Sequence, residues 1–172
     1  AFIGALLADI GVPILAEAIP AKYAKIVARY SPHAAPVQLE DELEAVEVTH
    51  AQVSAMVLSH WTLPDSVSAA VNLHQSPNPG TGAVATVARV LNAADRIAVL
   101  LCEVPEVDAI IRVCTETAAF VGVELDILVK LLPTIENDIE ELADALRIDV
   151  IPSSVYALVA KTVHEKLVPV NA

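Results

Sequence analysis

The stretch THAQVSAMVLSHWTLPDSVSAAVNLHQSP, residues 49–77, decides the fold because it encodes two helices and the turn between them. The Thr49 hydroxyl can accept a hydrogen bond from the Gln52 amide, and the Gln52 side chain can reach back. This capping box predicts a helix start. Pro64 stops the first helix and opens the second, with Asp65 in the first turn, where a negative charge suits the helix dipole.

Helical patterns continue on both sides of this stretch, and the loop SPNPGTG follows it at residues 76–82. Apolar residues recur at the three- and four-residue spacing of an amphipathic helix. No two-residue hairpin signal and no alternating strand pattern interrupts them, so we predict an all-α, multi-helix bundle. The predicted helices cover residues 1–10, 20–31, 39–48, 49–63, 64–74, 83–103, 106–121, 134–147 and 153–167.

The composition limits the classes of partner. Hydrophobic residues make up 55% of the 172 residues, which is enough for a core, and the formal net charge of −12 repels phosphate backbones. The Lys and Arg residues are scattered singly, so we expect no nucleic-acid binding and no polybasic membrane anchor. Charged residues interrupt every apolar run that could span a bilayer.

Cys102 and Cys114 lack CxxC spacing, so we expect buried free thiols and, weakly, a cytoplasmic location.

Four polar residues stand out because each lies in an otherwise apolar helical context: Asp9, His50, His74 and Asp95. A buried carboxylate costs several kcal/mol unless it is paired or binds a cation. Each residue taken alone has an ordinary interpretation as a structural or solvated group. Their order along the chain makes a common site the more specific hypothesis.

That order resembles a known family. The string ALLADIG, residues 5–11, resembles the LLHDIG of HD-superfamily proteins. Residues 49–77 are similar to the HDOD pattern of a His, a Leu-rich helix, Trp-x-Leu-Pro, and a helix ending in His-His-x-Pro. Asp95 lies in AADRIA, which looks like the Ala-Asp helix of the family. The resemblance covers about residues 1–100 and implies a degenerate relative of the HD and HD-GYP phosphohydrolases.

The resemblance also implies a set of site residues. In catalytic HD enzymes, His and Asp residues from separate helices converge on one or two divalent metals that activate water. Asp9 matches the Asp of the His-Asp doublet, and His50 matches the His at the helix start. His74 matches the first His of the His-His pair, and Asp95 matches the late Asp.

The departures from the family pattern weigh against catalysis. Ala8 replaces the doublet's His and Gln75 replaces the second His of the pair, and neither is a good ligand for a transition metal. Glu47 and Ser54 stand at family Gly positions near His50, and no Gly-Tyr-Pro motif follows His74. We therefore expect no catalytic residue and a vestigial cluster of Asp9, His50, His74, Gln75 and Asp95. Three alternatives remain for this cluster: it is free of metal, it binds a metal weakly without turnover, or it is a working catalytic site with fewer ligands. Any metal would be bound by Asp9, His50, His74 and Asp95.

The resemblance implies a non-enzymatic regulatory module of bacterial-type signal transduction, without a cofactor, acting on protein partners or adjacent domains. A metal-dependent phosphohydrolase of a nucleotide or cyclic dinucleotide is the alternative, and a nucleotide sensor is a third hypothesis.

We expect an HDOD-like core at residues 1–104, lacking its N-terminal part, and C-terminal helices with the start of a linker at 105–172. Exposed apolar residues in 1–7 lead us to expect a homodimer or a rearranged core.

Two further interpretations concern single segments. The acidic run ELEAVE, residues 42–47, is interpreted as a solvated helix face rather than a cation site. Trp61 is interpreted as a plug in the core or between helices rather than as a platform for ligand stacking.

Overall fold

The computed structural model describes residues 1–30, 37–102, 106–147 and 153–166, and in these residues the regular structure is helical throughout. The all-α prediction is therefore confirmed. The helices are α1 (Phe2–Leu7), α2 (Gly11–Ala18), α3 (Pro20–Tyr30), α4 (Leu39–Val46), α5 (His50–His60), α6 (Asp65–Asn72), α7 (Ala83–Cys102), α8 (Val107–Val121), α9 (Leu125–Leu146) and α10 (Ser153–Lys166).

The stretch that decides the fold forms the predicted helix pair. Thr49 caps α5: its hydroxyl accepts from the Gln52 amide at 3.1 Å, and the Gln52 side chain accepts from the Thr49 amide at 3.0 Å. Pro64 is the N-cap of α6. The helix ends at Asn72, two residues before the predicted end, so His74 lies in the turn that follows.

Two helix predictions were wrong at prolines. Helix α9 begins at Leu125 and runs through Pro133, although we predicted a start at residue 134. An interior proline costs about 3 kcal/mol in an isolated helix, so packing of this apolar-faced helix in its unit overrides the local penalty. Helix α2 was not predicted. It contains Pro13 at its third position, where the missing N–H has no partner within the helix.

The chain divides into two compact units, Ala1–Asp95 and Arg96–Ala172. The first unit has two buried clusters, one centred on Leu15 and Tyr23 and one centred on Leu58 and Val71. The boundary lies inside α7, whose first part belongs to the first unit.

In the second unit, α8, α9 and α10 pack around Ile110, Cys114 and Val159, which are fully buried. Cys114 is a free thiol, as expected, and burial raises its pKa to about 11. The Cys102 side chain lies outside the described residues, and so do residues 167–172, at the end of the segment in which the start of a linker is predicted.

The exposed apolar residues correct one prediction. Trp61 is 50% exposed, so the interpretation as a core plug was wrong, while a position between helices stays a prediction. Phe2 and Leu6 on α1 are about 70% exposed, so the first helix does present apolar surface.

Among the described helices, none is both long enough and apolar enough to cross a membrane.

The start of α2 and the start of α5 approach each other closely at their backbones. A Cβ at Gly11 would lie 2.1 Å from the carbonyl oxygen of His50. The Gly11 amide also donates to the buried hydroxyl of Ser54 at 2.8 Å. Only glycine therefore allows the start of α2 to lie against the start of α5.

We predict that Gly11→Ala destabilises the chain by about 2–3 kcal/mol, because the added methyl group meets a backbone that cannot move aside. Gly4→Ala in α1 is the control, since its Cβ would make only ordinary contacts with side-chain methyl groups of Leu91 and Val71, at 3.4 Å and beyond. Better helix propensity should make that change neutral or stabilising. Urea unfolding of both variants measures the difference, and equal stabilities would contradict the close approach.

Candidate functional site

Three side chains that are far apart in sequence meet in the first unit. Asp9 Oδ1 lies 3.3 Å from His50 Nε2 and 3.3 Å from His74 Nε2. The two imidazole rings are 5.6 Å apart between centroids, in an edge-on arrangement. Among the described residues, these three form the group whose potential metal-ligating atoms all lie within 4.8 Å of one another.

Each residue reaches the site from the end of a helix. Asp9 lies in the turn between α1 and α2, His50 is the first residue of α5, and His74 follows the end of α6. The His50 and His74 side chains are 1% exposed, whereas the Asp9 side chain is 52% exposed. The site therefore has a buried wall of two histidines and a carboxylate at its solvent-facing side.

A fourth residue, Glu42 on α4, orients His50. Its Oε2 accepts hydrogen bonds from the His50 backbone amide and from Nδ1, both at 2.8 Å. Its Oε1 accepts from the hydroxyl of Tyr23. Glu42 is 0% exposed, so the interpretation of 42–47 as a wholly solvated face was wrong at this residue. Because Glu42 can only accept, the Nδ1 of His50 carries a proton and Nε2 points toward Asp9.

The orientation of His74 is set by backbone groups. Its Nδ1 donates to the carbonyl oxygen of Val71 at 2.7 Å, which directs Nε2 toward Asp9. The side-chain amide of Asn92 on α7 donates to the His74 carbonyl at 2.8 Å and holds the turn in place. Both histidines thus have one ring nitrogen anchored and the other directed at the same carboxylate oxygen.

This arrangement controls protonation at the site. Burial acts to lower the pKa of His50, but the adjacent carboxylates of Asp9 and Glu42 outweigh it and raise the pKa to about 9. Partial burial acts to raise the pKa of Asp9, but His50 and His74 hold it well below its usual range. Burial and the hydrogen bond to Glu42 raise the pKa of Tyr23, so its hydroxyl remains a donor. At neutral pH a protonated His50 faces an ionised Asp9.

The three residues also fit one divalent cation. The Nε2 atoms of His50 and His74 are buried and have no hydrogen-bond partner of good geometry. Two atoms that bind a tetrahedral metal at about 2.1 Å lie roughly 3.4 Å apart, close to the 3.3 Å between Asp9 Oδ1 and each Nε2. The Glu42–His50 hydrogen bond is the kind of carboxylate contact that orients a ligating histidine. A cation or a proton can therefore occupy the space between the three acceptor atoms.

The other predicted site residues lie beside this group. Burial and the charge of Asp9 raise the pKa of Asp95, while a hydrogen bond from the Gln75 side chain acts to lower it. Asp95 is thus near the cluster, although it falls outside the group of three found among the described residues. Ala8 is 5% exposed and offers no ligand atom.

Comparison with known proteins bears on the same part of the chain. The family model of the HDOD domain matches residues 1–77. The match covers less than half of the 172 residues and agrees with the resemblance found in the sequence. Neither the curated proteins nor the solved structures include a match to the chain.

The HDOD segment holds most of the site. Asp9, His50, His74 and Gln75 lie within residues 1–77, and so does Glu42, while Asp95 lies beyond the match. Sequence reasoning missed Glu42 because it looked like one of several acidic residues on a short amphipathic helix. The signal that could have identified it is its position in the helix. Glu42 is the acidic residue of α4 that is buried, and there it accepts a hydrogen bond from Tyr23.

We predict that Glu42→Leu destabilises the chain by at least about 3 kcal/mol, because it leaves three buried donors, on Tyr23 and His50, without an acceptor. Glu44→Leu is the matched control, since Glu44 is exposed on the same helix and should change stability by less than about 0.5 kcal/mol. Urea unfolding followed by circular dichroism measures both. Similar effects of the two substitutions would mean that Glu42 does not hold His50.

We also predict a pH dependence of stability in the metal-free chain. The contribution of protonated His50 is complete below its ordinary pKa of 6.5 and is lost as the pH rises through about 9. The free energy of unfolding, measured in urea with a chelator present, should therefore be lower above pH 9 than at pH 6, by up to about 3 kcal/mol.

Two variants control this measurement. Asp9→Asn removes a charge that raises the pKa of His50 and should flatten the dependence. His60→Gln changes an exposed histidine on the same helix, α5, and should leave the dependence intact. Equal stability of the unmodified chain at both pH values would contradict a protonated His50.

Proposed function

We propose that the chain is a non-catalytic regulatory module of signal transduction that acts through contacts with protein partners or adjacent domains in the cytoplasm. The observation that carries this proposal is a cluster that joins three helix ends but lacks two of the ligands expected of a catalytic relative. Ala8 and Gln75 stand where the family pattern has ligating histidines. The free, buried thiol of Cys114 fits a reducing compartment.

The remaining residues serve a structural purpose in this proposal. Asp9 links the α1–α2 turn to the beginning of α5 and to the turn after α6 through His50 and His74. Gln75 is engaged with Asp95 and so supports the cluster. A group that ties separate helices together can transmit a change in helix packing from one surface to another.

A metal-dependent phosphohydrolase is the second candidate, and one observation favours it. The buried Nε2 atoms of two histidines converge on one carboxylate oxygen and lack well-formed hydrogen bonds. Asp9, His50 and His74 would hold the cation, whose chemistry would be to polarise a water molecule or a phosphate oxygen. The open side at Asp9 would admit a substrate from solvent.

Metal analysis and a hydrolysis assay decide between these candidates. We expect the purified chain, incubated with Mn²⁺, Fe²⁺, Ni²⁺ or Zn²⁺, to hydrolyse bis(p-nitrophenyl) phosphate and a cyclic dinucleotide no faster than buffer with metal. A weakly bound cation without turnover would agree with the proposal, because Ala8 and Gln75 replace two metal-binding histidines of the family pattern.

His50→Ala is the control for any activity that is found. Turnover that requires a metal and disappears in His50→Ala, but persists in the exposed-site variant His60→Ala, would establish the phosphohydrolase and reject the regulatory module. Activity that survives in His50→Ala would come from a contaminant and would not count against the proposal.

A further inference from the structure

The two histidines of the cluster have ring nitrogens that the protein itself does not pair. The Nε2 atoms of His50 and His74 are buried and lack a hydrogen bond of good geometry, although each lies 3.3 Å from Asp9 Oδ1. A metal ion binds a ring nitrogen at about 2.1 Å, whereas the oxygen of a hydrogen-bonded water stays about 2.9 Å away. A bare cation can therefore reach nitrogens that have no surface open to water.

The chemistry of these atoms selects the class of cation. Two imidazole nitrogens and one carboxylate oxygen favour Zn²⁺, Ni²⁺, Co²⁺ or Fe²⁺, whereas Mg²⁺ and Ca²⁺ are bound mainly by oxygen. The Asp9 side chain is 52% exposed, so water molecules can complete the coordination from the solvent side. The expected ligand is thus one divalent cation of the zinc type.

Glu42 determines how His50 presents its free nitrogen. Its Oε2 accepts hydrogen bonds from the His50 backbone amide and from Nδ1, both at 2.8 Å. Its Oε1 accepts from the Tyr23 hydroxyl. Because both oxygens are engaged, the buried carboxylate cannot turn without losing three hydrogen bonds. The hydrogen of the His50 ring therefore stays on Nδ1, and Nε2 remains directed at the cation position.

The two histidines differ in the group that anchors them. The Nδ1 of His74 donates to a neutral backbone carbonyl, that of Val71, whereas the Nδ1 of His50 donates to an ionised side chain. A hydrogen bond to a charged acceptor is about twice as strong as one between neutral groups. A carboxylate behind an imidazole also increases the basicity of the opposite nitrogen, which strengthens its bond to a metal. His50 is therefore the stronger of the two nitrogen ligands.

We propose that Glu42 is a positioning residue for cation binding. It holds His50 with Nδ1 protonated and Nε2 directed at one divalent cation of the zinc type, which Asp9 and His74 bind as well. Glu42 does not touch the cation and determines its affinity through His50. The inference goes beyond the proposed regulatory function, since it names the ligand of the cluster and holds for a regulatory module and for an enzyme alike.

Competition with a chromophoric chelator for Zn²⁺ measures the affinity of the full chain without any substrate. The chain is expected to bind one Zn²⁺ that an excess of Mg²⁺ does not displace. His74→Ala removes a ligand and should weaken binding by at least about a hundredfold. His60→Ala removes an exposed histidine of α5 and should leave the affinity unchanged, which excludes binding to a surface histidine.

Glu42→Gln tests the positioning role. The glutamine carbonyl can still accept from the His50 amide and Nδ1, and its amino group can donate to the Tyr23 oxygen, so the change removes a charge and keeps the hydrogen bonds. The affinity for Zn²⁺ should fall by at least about tenfold. Glu44→Gln makes the same charge change at an exposed position of α4 and should keep the affinity within about twofold.

Nitrogen NMR of the unmodified chain with labelled histidine gives a readout that decides the question if Glu42→Gln fails to fold. Correlations between ring protons and ring nitrogens distinguish a protonated nitrogen from one bound to a metal. On addition of Zn²⁺, the Nε2 resonances of His50 and His74 should shift, and the Nδ1 of His50 should remain protonated.

Equal affinities of Glu42→Gln and Glu44→Gln, or coordination through the Nδ1 of His50, would overturn the proposal. So would the absence of Zn²⁺ binding, or binding that survives in His74→Ala, because the ion would then lie elsewhere. Turnover of a phosphodiester would reject the regulatory function without bearing on Glu42. Equal affinities of the two glutamine variants, with no turnover, would reject the positioning role and leave the regulatory function standing.

Discussion

The buried carboxylate of Glu42 is the interaction on which the rest of the first unit depends. It accepts hydrogen bonds from Tyr23 of α3 and from both the backbone and the ring of His50, so three helices meet at one side chain. A buried carboxylate with fewer partners would cost several kcal/mol. With these partners it fixes the ring of His50, and through it the position at which Asp9 and His74 meet.

The convergence of two Nε2 atoms on Asp9 creates an electrostatic requirement. Three acceptor atoms within a few ångströms of one another need a positive charge between them, and either a proton or a divalent cation supplies it. The raised pKa of His50 favours a proton at this position in the absence of a cation.

The tie among helix ends joins the two helices of the α5–α6 pair. His50 is the first residue of α5, and His74 follows Asn72 by two residues at the end of α6. Both contact Asp9, so the cluster lies at one end of this helix pair. A change in the spacing of α5 and α6 would act directly on the contacts of Asp9, which is why the proposed regulatory function is placed at this cluster.

Much of the secondary structure could be read from the sequence, because caps and prolines act locally. Thr49, Gln52 and Pro64 determine the α5–α6 pair through hydrogen bonds and backbone restrictions within a few residues, and the spacing of apolar residues shows the all-α class. The same local rules failed at Pro133, where tertiary packing of α9 outweighs the cost of an interior proline.

The sequence by itself determined which residues could form a site, since Asp9, His50 and His74 could be named from their apolar surroundings and from the resemblance to the HDOD pattern. Only the tertiary structure decided that Glu42 belongs with them and that Trp61 lies at the surface. Burial depends on what packs over a helix face, and that comes from residues distant in the chain. A carboxylate on an acidic helix looks solvated until Tyr23 and His50 are brought against it.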